Sequence, residues 1–154
     1  MPERGAQVAS ADHILYYVKP TQIDDGVVSG GAFVARPSDH DGLSVNWLEW
    51  FDPPIERQID GVRSVARITY RKSGRLARLN VGNVKRHVRE NAPFAPALLI
   101  THDPLAPEGA YPADPTHALV DGAQAQRSDE AALVGDLIAE CIIPPLFLAV
   151  RGSE

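Results

Sequence analysis

Apolar residues fall in short runs separated by polar, turn-forming stretches, and the spacing within each run indicates its element. The β-branched and aromatic run "HILYYVK", residues 13–19, predicts a strand that Pro20 ends. "VVSGGAFVAR", 27–36, predicts a second strand weakened by Gly30-Gly31, a pair that marks a bulge or a close backbone approach. The turn formers Ser38 to Gly42 lead into a further ordered run from Leu43 to Val45. Asp52-Pro53-Pro54 predicts a helix start, with Asp52 as the cap and proline tolerated in the first turn. Ile55, Ile59, Val62, Val65 and Ala66 then follow near helical spacing, with Arg57, Arg63 and Arg67 largely on the other face. Residues 64–71 also fit a strand.

"RLARLNVGNV", 75–84, alternates, with Ala77, Leu79 and Val81 on one side, and predicts a strand. A short helix is expected over 83–91, with Val84, His87 and Val88 on one face. Strands are expected at 97–101 and over "THALVDG", 116–122. The clearest element is a helix over 128–143. Ser128 caps it, Asp129 and Glu130 suit the positive end of its dipole, and Ala132, Leu133, Leu137, Ile138 and Cys141 form its apolar stripe. Pro144-Pro145 stops it, and "LFLAV", 146–150, predicts a final strand. Strands and helices mix without regular βαβ alternation. The expected class is therefore α+β: a small mixed or antiparallel sheet with two to three helices, in one domain over residues 12–154 behind a flexible tail at 1–11.

A chain of 154 residues fits one domain and can bury a real core. Its single cysteine, Cys141, rules out an internal disulfide and sits in the apolar run "LIAECII", where a buried, inert thiol is expected. No apolar run approaches the roughly 18 residues of a membrane span, so no membrane partner is expected. The first residues lack the apolar segment of a secretory signal, which leaves the cytoplasm as the expected location.

The net charge of −5 hides a segregation. Residues 57–89 hold 10 of the 15 Lys and Arg and only one acidic residue, while the flanking segments are net negative. Such a segment can meet an anionic partner, or its charges can be offset by the acidic flanks within the monomer.

The chain carries no Gly-x-Ser-x-Gly, Walker loop, GxGxxG or HExxH signature. Three weaker constellations remain. Asp39, His40 and Asp41 place a histidine between carboxylates, but adjacent residues rarely converge on one ion, and a solvated turn fits them better. Two Thr-His dipeptides, Thr101-His102 and Thr116-His117, each lie at the edge of a predicted strand. If those strands pair, the two histidines can approach each other near Asp103 or Asp121, as a metal or acid–base site. The basic segment, with Tyr70 and His87, could meet phosphates mainly through charge.

The segments "GAFVARPSDHDGLSV" and "DPTHALVDG" resemble those of a family of small uncharacterised bacterial proteins. That family shares an A-F-x-x-R-P-x-D-x-x-x-L-S-V-like stretch and a later P-x-H-A-L-(I/V)-D. The resemblance covers about residues 15–45 and 100–122. It implies no named reaction but points to Arg36, Asp39, Ser44, His117 and Asp121.

The first functional reading is a binding protein, accessory or adaptor to a protein partner. The alternative is a small hydrolytic or nucleotide-acting enzyme centred on His117, with Arg36 as anion clamp and Asp121 beside it, and with Asp39 and Ser44 in binding roles. A third reading is a nucleic-acid-binding module that uses Arg63, Arg67, Arg71, Arg75 and Arg78 within 57–89. No cofactor or metal is expected in any of the three. A shift assay tests the third. Contact with phosphates predicts binding to generic DNA that weakens by roughly one unit of log K against log salt for each neutralised phosphate, and no binding at about 50 mM salt removes that reading.

Overall fold

The computed structural model describes residues 5–34, 42–122 and 128–151. In chain order the strands are β1 (His13–Val18), β2 (Ile23–Asp24), β3 (Val27–Val28), β4 (Leu43–Trp47), β5 (Arg75–Asn80), β6 (Leu99–His102), β7 (His117–Asp121) and β8 (Ile143–Leu148). The helices are α1 (Ile55–Val65), α2 (Val81–Asn91) and α3 (Ser128–Glu140). One six-stranded sheet has the order β6-β7-β4-β1-β5-β8, and its neighbouring strands all pair antiparallel. β2 and β3 form a separate hairpin. The class is α+β, as the irregular alternation of elements predicts.

The sheet is covered on both faces at its centre. On one face Ile14, Val18, Ala77 and Leu79 pack with Val84 and Val88 of α2 and Val134, Leu137 and Ile138 of α3. On the other, Leu15 and Leu76 pack with Leu48, and with Ile59 and Val62 of α1. This explains why "HILYYV" is apolar almost throughout: a strand buried on both sides needs no polar face. Arg63 of α1 bonds Asp60 at 2.8 Å and the Leu148 carbonyl, fastening the helix to β8. Gly61 lets α1 approach Phe51, whose ring a Cβ there would meet at 2.6 Å.

Several local expectations are corrected. Residues 27–36 do not form one strand. After β3 the chain makes a 3-10 turn over Gly30–Phe33, in which the Ser29 hydroxyl accepts from the Gly31 amide at 3.2 Å. Close backbone approach explains the glycine. A Cβ on Gly30 would lie 1.8 Å from Asp136 Oδ1, and one on Gly135 would lie 2.4 Å from the Gly30 carbonyl oxygen, so α3 packs directly on this turn. Asp52 does not cap α1, which starts after Pro53-Pro54 without a side-chain cap. Residues 66–71 are neither helix nor strand. Val81 begins α2 instead of extending β5, because the Asn80 side chain accepts from the Asn83 amide at 2.8 Å and caps the helix there.

In α3 the buried stripe is Ala131, Val134, Leu137, Ile138 and Cys141, whereas Ala132 and Leu133 are exposed. The cap expected of Ser128 concerns a side chain outside the described residues. Cys141 is buried, its thiol donates to the Leu137 carbonyl at 3.4 Å, and burial pushes its pKa up. β8 contains Pro144-Pro145 and lies at a sheet edge, where the missing donors cost least. Residues 5–8, within the stretch read as a tail, run along β6. The Val8 amide donates to the Ile100 carbonyl at 2.9 Å, and the Val8 side chain is buried.

Leu137 is 6% exposed, so Leu137→Ala should lower stability by roughly 2–5 kcal/mol. Urea denaturation measures this, and a loss under about 1 kcal/mol would contradict a packed α3–sheet interface.

Candidate functional site

β4 and β7 are neighbours, with Ser44 opposite Leu119 and Asn46 opposite His117. His117 therefore sits diagonally across from Ser44 on one face of the sheet, within reach of a long side chain. Its Nε2 is 3.1 Å from the Ser44 hydroxyl. On its other side His117 meets Asp103, just beyond the end of β6, where the Asp103 amide donates to the His117 carbonyl at 2.8 Å. His117 Nδ1 is 2.9 Å from the Asp103 carbonyl oxygen and 3.3 Å from its carboxylate Oδ2. Both partners only accept hydrogen bonds. The proton of the neutral ring is thereby assigned to Nδ1, and Nε2 accepts from the Ser44 hydroxyl. The order approaches that which activates a serine: nucleophile, base and an orienting acceptor, here the Asp103 carbonyl oxygen with the Asp103 carboxylate beside it. The His117 side chain is 13% exposed and that of Asp103 22%, while Ser44 is exposed. The base is shielded and the hydroxyl is accessible.

Ser44 opens onto a cleft of about 370 Å³. The cleft follows from the sheet register. β1 pairs with β5 along its whole length but with β4 only at Ile14–Trp47 and Leu15–Asn46. Beyond those two pairs the space is lined by Tyr16, Tyr17 and Lys19 on one side and by Gly42, Leu43 and Ser44 on the other, with Ile68 and Thr69 contributing from the irregular segment after α1. Gly42 has φ of +106°, and a Cβ there would lie 2.3 Å from the Val120 carbonyl oxygen, so only glycine lets the chain enter β4 this close to β7. Gln22 also lines the cleft. Its amide oxygen accepts from the Lys19 amide at 3.0 Å, which leaves its NH₂ as the group available to a bound molecule.

Behind the histidine lies a buried polar network. Asp114 is 1% and Thr116 0% exposed. Asp114 accepts from Asn46 Nδ2 at 3.0 Å, from the Thr116 amide at 3.0 Å and from the Thr116 hydroxyl at 2.8 Å. Asn46 Nδ2 also donates to the Thr116 hydroxyl at 2.8 Å. The carboxylate is buried but well supplied with donors.

The second Thr-His dipeptide has a different role. His102 pairs with Ala118, so it lies on the opposite sheet face from His117, and the expected two-histidine site does not form. His102 is packed against Trp47 and Trp50, with ring centroids at 5.4 and 5.8 Å, and its Nε2 donates to the Pro115 carbonyl at 2.7 Å. Among the described residues no three His, Cys, Asp or Glu side chains gather into a metal-ion site.

Of the residues singled out from the sequence, His117 and Ser44 meet. Asp121 does not join them. It lies at the far end of β7, about 13 Å along the strand from His117, and its carboxylate accepts from the Gly122 amide at 3.0 Å. Asp103, one of the two carboxylates expected near a pair of histidines, meets one of them, His117. Arg36 and Asp39, like His40 and Asp41, lie outside the described residues. Within the basic segment, Arg63 is bonded as described above. Arg67 reaches Glu108 at 3.4 Å, the Ala106 carbonyl and the Tyr111 ring. Arg75 donates to the Gly74 carbonyl at 2.8 Å, and Arg78 lies 5.8 Å over the Phe147 ring. Arg71 is exposed at the cleft end. No family model, curated protein or solved structure matches the chain.

Tyr70 borders this region, and its hydroxyl is buried without a hydrogen-bond partner. Burial first, and then the Asp114 charge, push its pKa well above the ordinary value of 10.0. The folded chain thus keeps a proton that the unfolded chain releases. Tyr70 costs no stability below about pH 10 and an increasing amount above it. Tyr70→Phe should leave urea stability at pH 8 within about 1 kcal/mol of the parent, since no hydrogen bond is lost. It should also raise stability at pH 11 relative to the parent. An equal pH dependence in both proteins would refute the assignment.

Proposed function

We propose that this protein is a small serine-dependent hydrolase that cleaves an acyl ester or a similar acyl derivative. The observation that carries the reading is the continuous path from the Ser44 hydroxyl through His117 to Asp103, with the hydroxyl end alone exposed to a cleft. Ser44 Oγ attacks the acyl carbonyl carbon as its proton passes to His117 Nε2. Asp103 stabilises the resulting imidazolium through Nδ1. The Gln22 NH₂ is a cleft donor available to the developing oxyanion. The bond to the leaving alcohol then breaks as His117 returns its proton to that oxygen. A water molecule attacks the acyl-serine, again giving a proton to His117, and release of the acid restores Ser44.

Turnover of 4-nitrophenyl esters tests this directly. Ser44→Ala and His117→Gln should each lower kcat by about 10³-fold or more, with little further loss in the double variant, because the pair acts as a unit. Ser44→Ala should keep the parent melting temperature, since the side chain is exposed. A fluorophosphonate should add its mass to the parent and not to Ser44→Ala. Unchanged turnover in Ser44→Ala, or equal labelling of both, would refute the proposal.

A further inference from the structure

The cleft at Ser44 continues into a second cavity of about 430 Å³, and the two share Tyr17, Lys19 and Thr69. Ser44 belongs to the first cavity and Arg71 to the second. Among the described residues the two linings hold two cations, Lys19 and Arg71, and no carboxylate. In a chain of net charge −5 this is a local reversal of sign. Elsewhere in the basic segment Arg63, Arg67 and Arg75 are bonded to protein oxygens. Arg71 is held at its backbone instead. Its amide donates to the Tyr17 hydroxyl at 3.0 Å, which positions residue 71 over the cavity and leaves its guanidinium without a partner among the described residues. The same bond uses Tyr17 as acceptor, so its hydroxyl proton remains available to a ligand.

We infer that the acyl part of the substrate carries an anionic group, a carboxylate or a phosphate, seated by Lys19, Arg71 and the Tyr17 hydroxyl while the scissile carbonyl lies at Ser44. The reaction at Ser44 rests on the hydrolase reading; the anion seat does not. A forked guanidinium and a compact ammonium are complementary donors to such an oxyanion. Contacts remote from the reacting bond hold the substrate in register for attack. The two cavities are each of a size that admits small molecules.

Binding and turnover are measured separately. Calorimetry at about 50 mM salt compares the monoanilide of glutaric acid with neutral N-phenylpentanamide, neither of which is an ester. The parent should bind the anion about tenfold more tightly, the worth of two partly exposed ion pairs. That preference should shrink as salt is raised and disappear in Lys19→Met/Arg71→Met. Ser44→Ala should keep it. Competition by inorganic phosphate and by acetate shows which anion the seat favours. Equal binding of the two anilides by the parent, or a preference that survives in the double variant, would overturn the inference whatever the esterase assay shows. Conversely, an anion preference that persists when Ser44→Ala leaves turnover unchanged would sink the hydrolase reading and leave the anion seat standing.

Discussion

Asp114 is a carboxylate with almost no contact with water, and a buried carboxylate is tolerated only where donors replace its hydration. The donors come from Asn46 on β4 and from Thr116, one residue before β7. The network therefore ties the start of β7 to a defined position on β4. A slip of one residue would take Asn46 from the carboxylate and also reverse which side chains face the core. His102 reinforces this placement from the other sheet face, through the Pro115 carbonyl and the two tryptophan rings.

The site inherits its geometry from that register. With Asn46 opposite His117, Ser44 falls on the adjacent diagonal. The β6–β7 ladder carries Asp103 to the other side of the imidazole. Ser44 and His117 come from neighbouring strands and Asp103 from the residue that follows β6, which suits a site that must hold a ring in one tautomer.

The cleft has a separate origin. It exists because β1 stays with β5 while β4 leaves it after two pairs. The irregular segment after α1 forms part of its wall and supplies Ile68, Thr69 and Arg71. Arg67, bonded to Glu108 and the Ala106 carbonyl, anchors the same segment to the 105–112 loop. The basic stretch thus includes arginines that build the fold and one that faces a cavity, a distinction its charge count alone does not reveal.

The sequence by itself determined the elements with strong local signatures. The apolar β1 run, the α1 and α3 periodicities and the α+β class follow from spacing and side-chain type, which act over a few residues. It also singled out His117 at the edge of a strand, and Ser44 through the resemblance of its segment to a family of small bacterial proteins. It named both Asp103 and Asp121 as neighbours of His117 and favoured Asp121, where the structure has Asp103, because strand alternation says which face a residue takes but not which strand lies next to it. The 27–36 strand failed for a related reason: Gly30 answers to Gly135 and Asp136, more than a hundred residues away in the chain. The α3 stripe shifted toward Ala131 and Val134 because the turn it packs on sets the helix rotation, and periodicity alone leaves that rotation loose. Register, strand order and close approach are long-range quantities, settled by which buried polar groups find partners and which backbones can touch, and only the folded chain decides them.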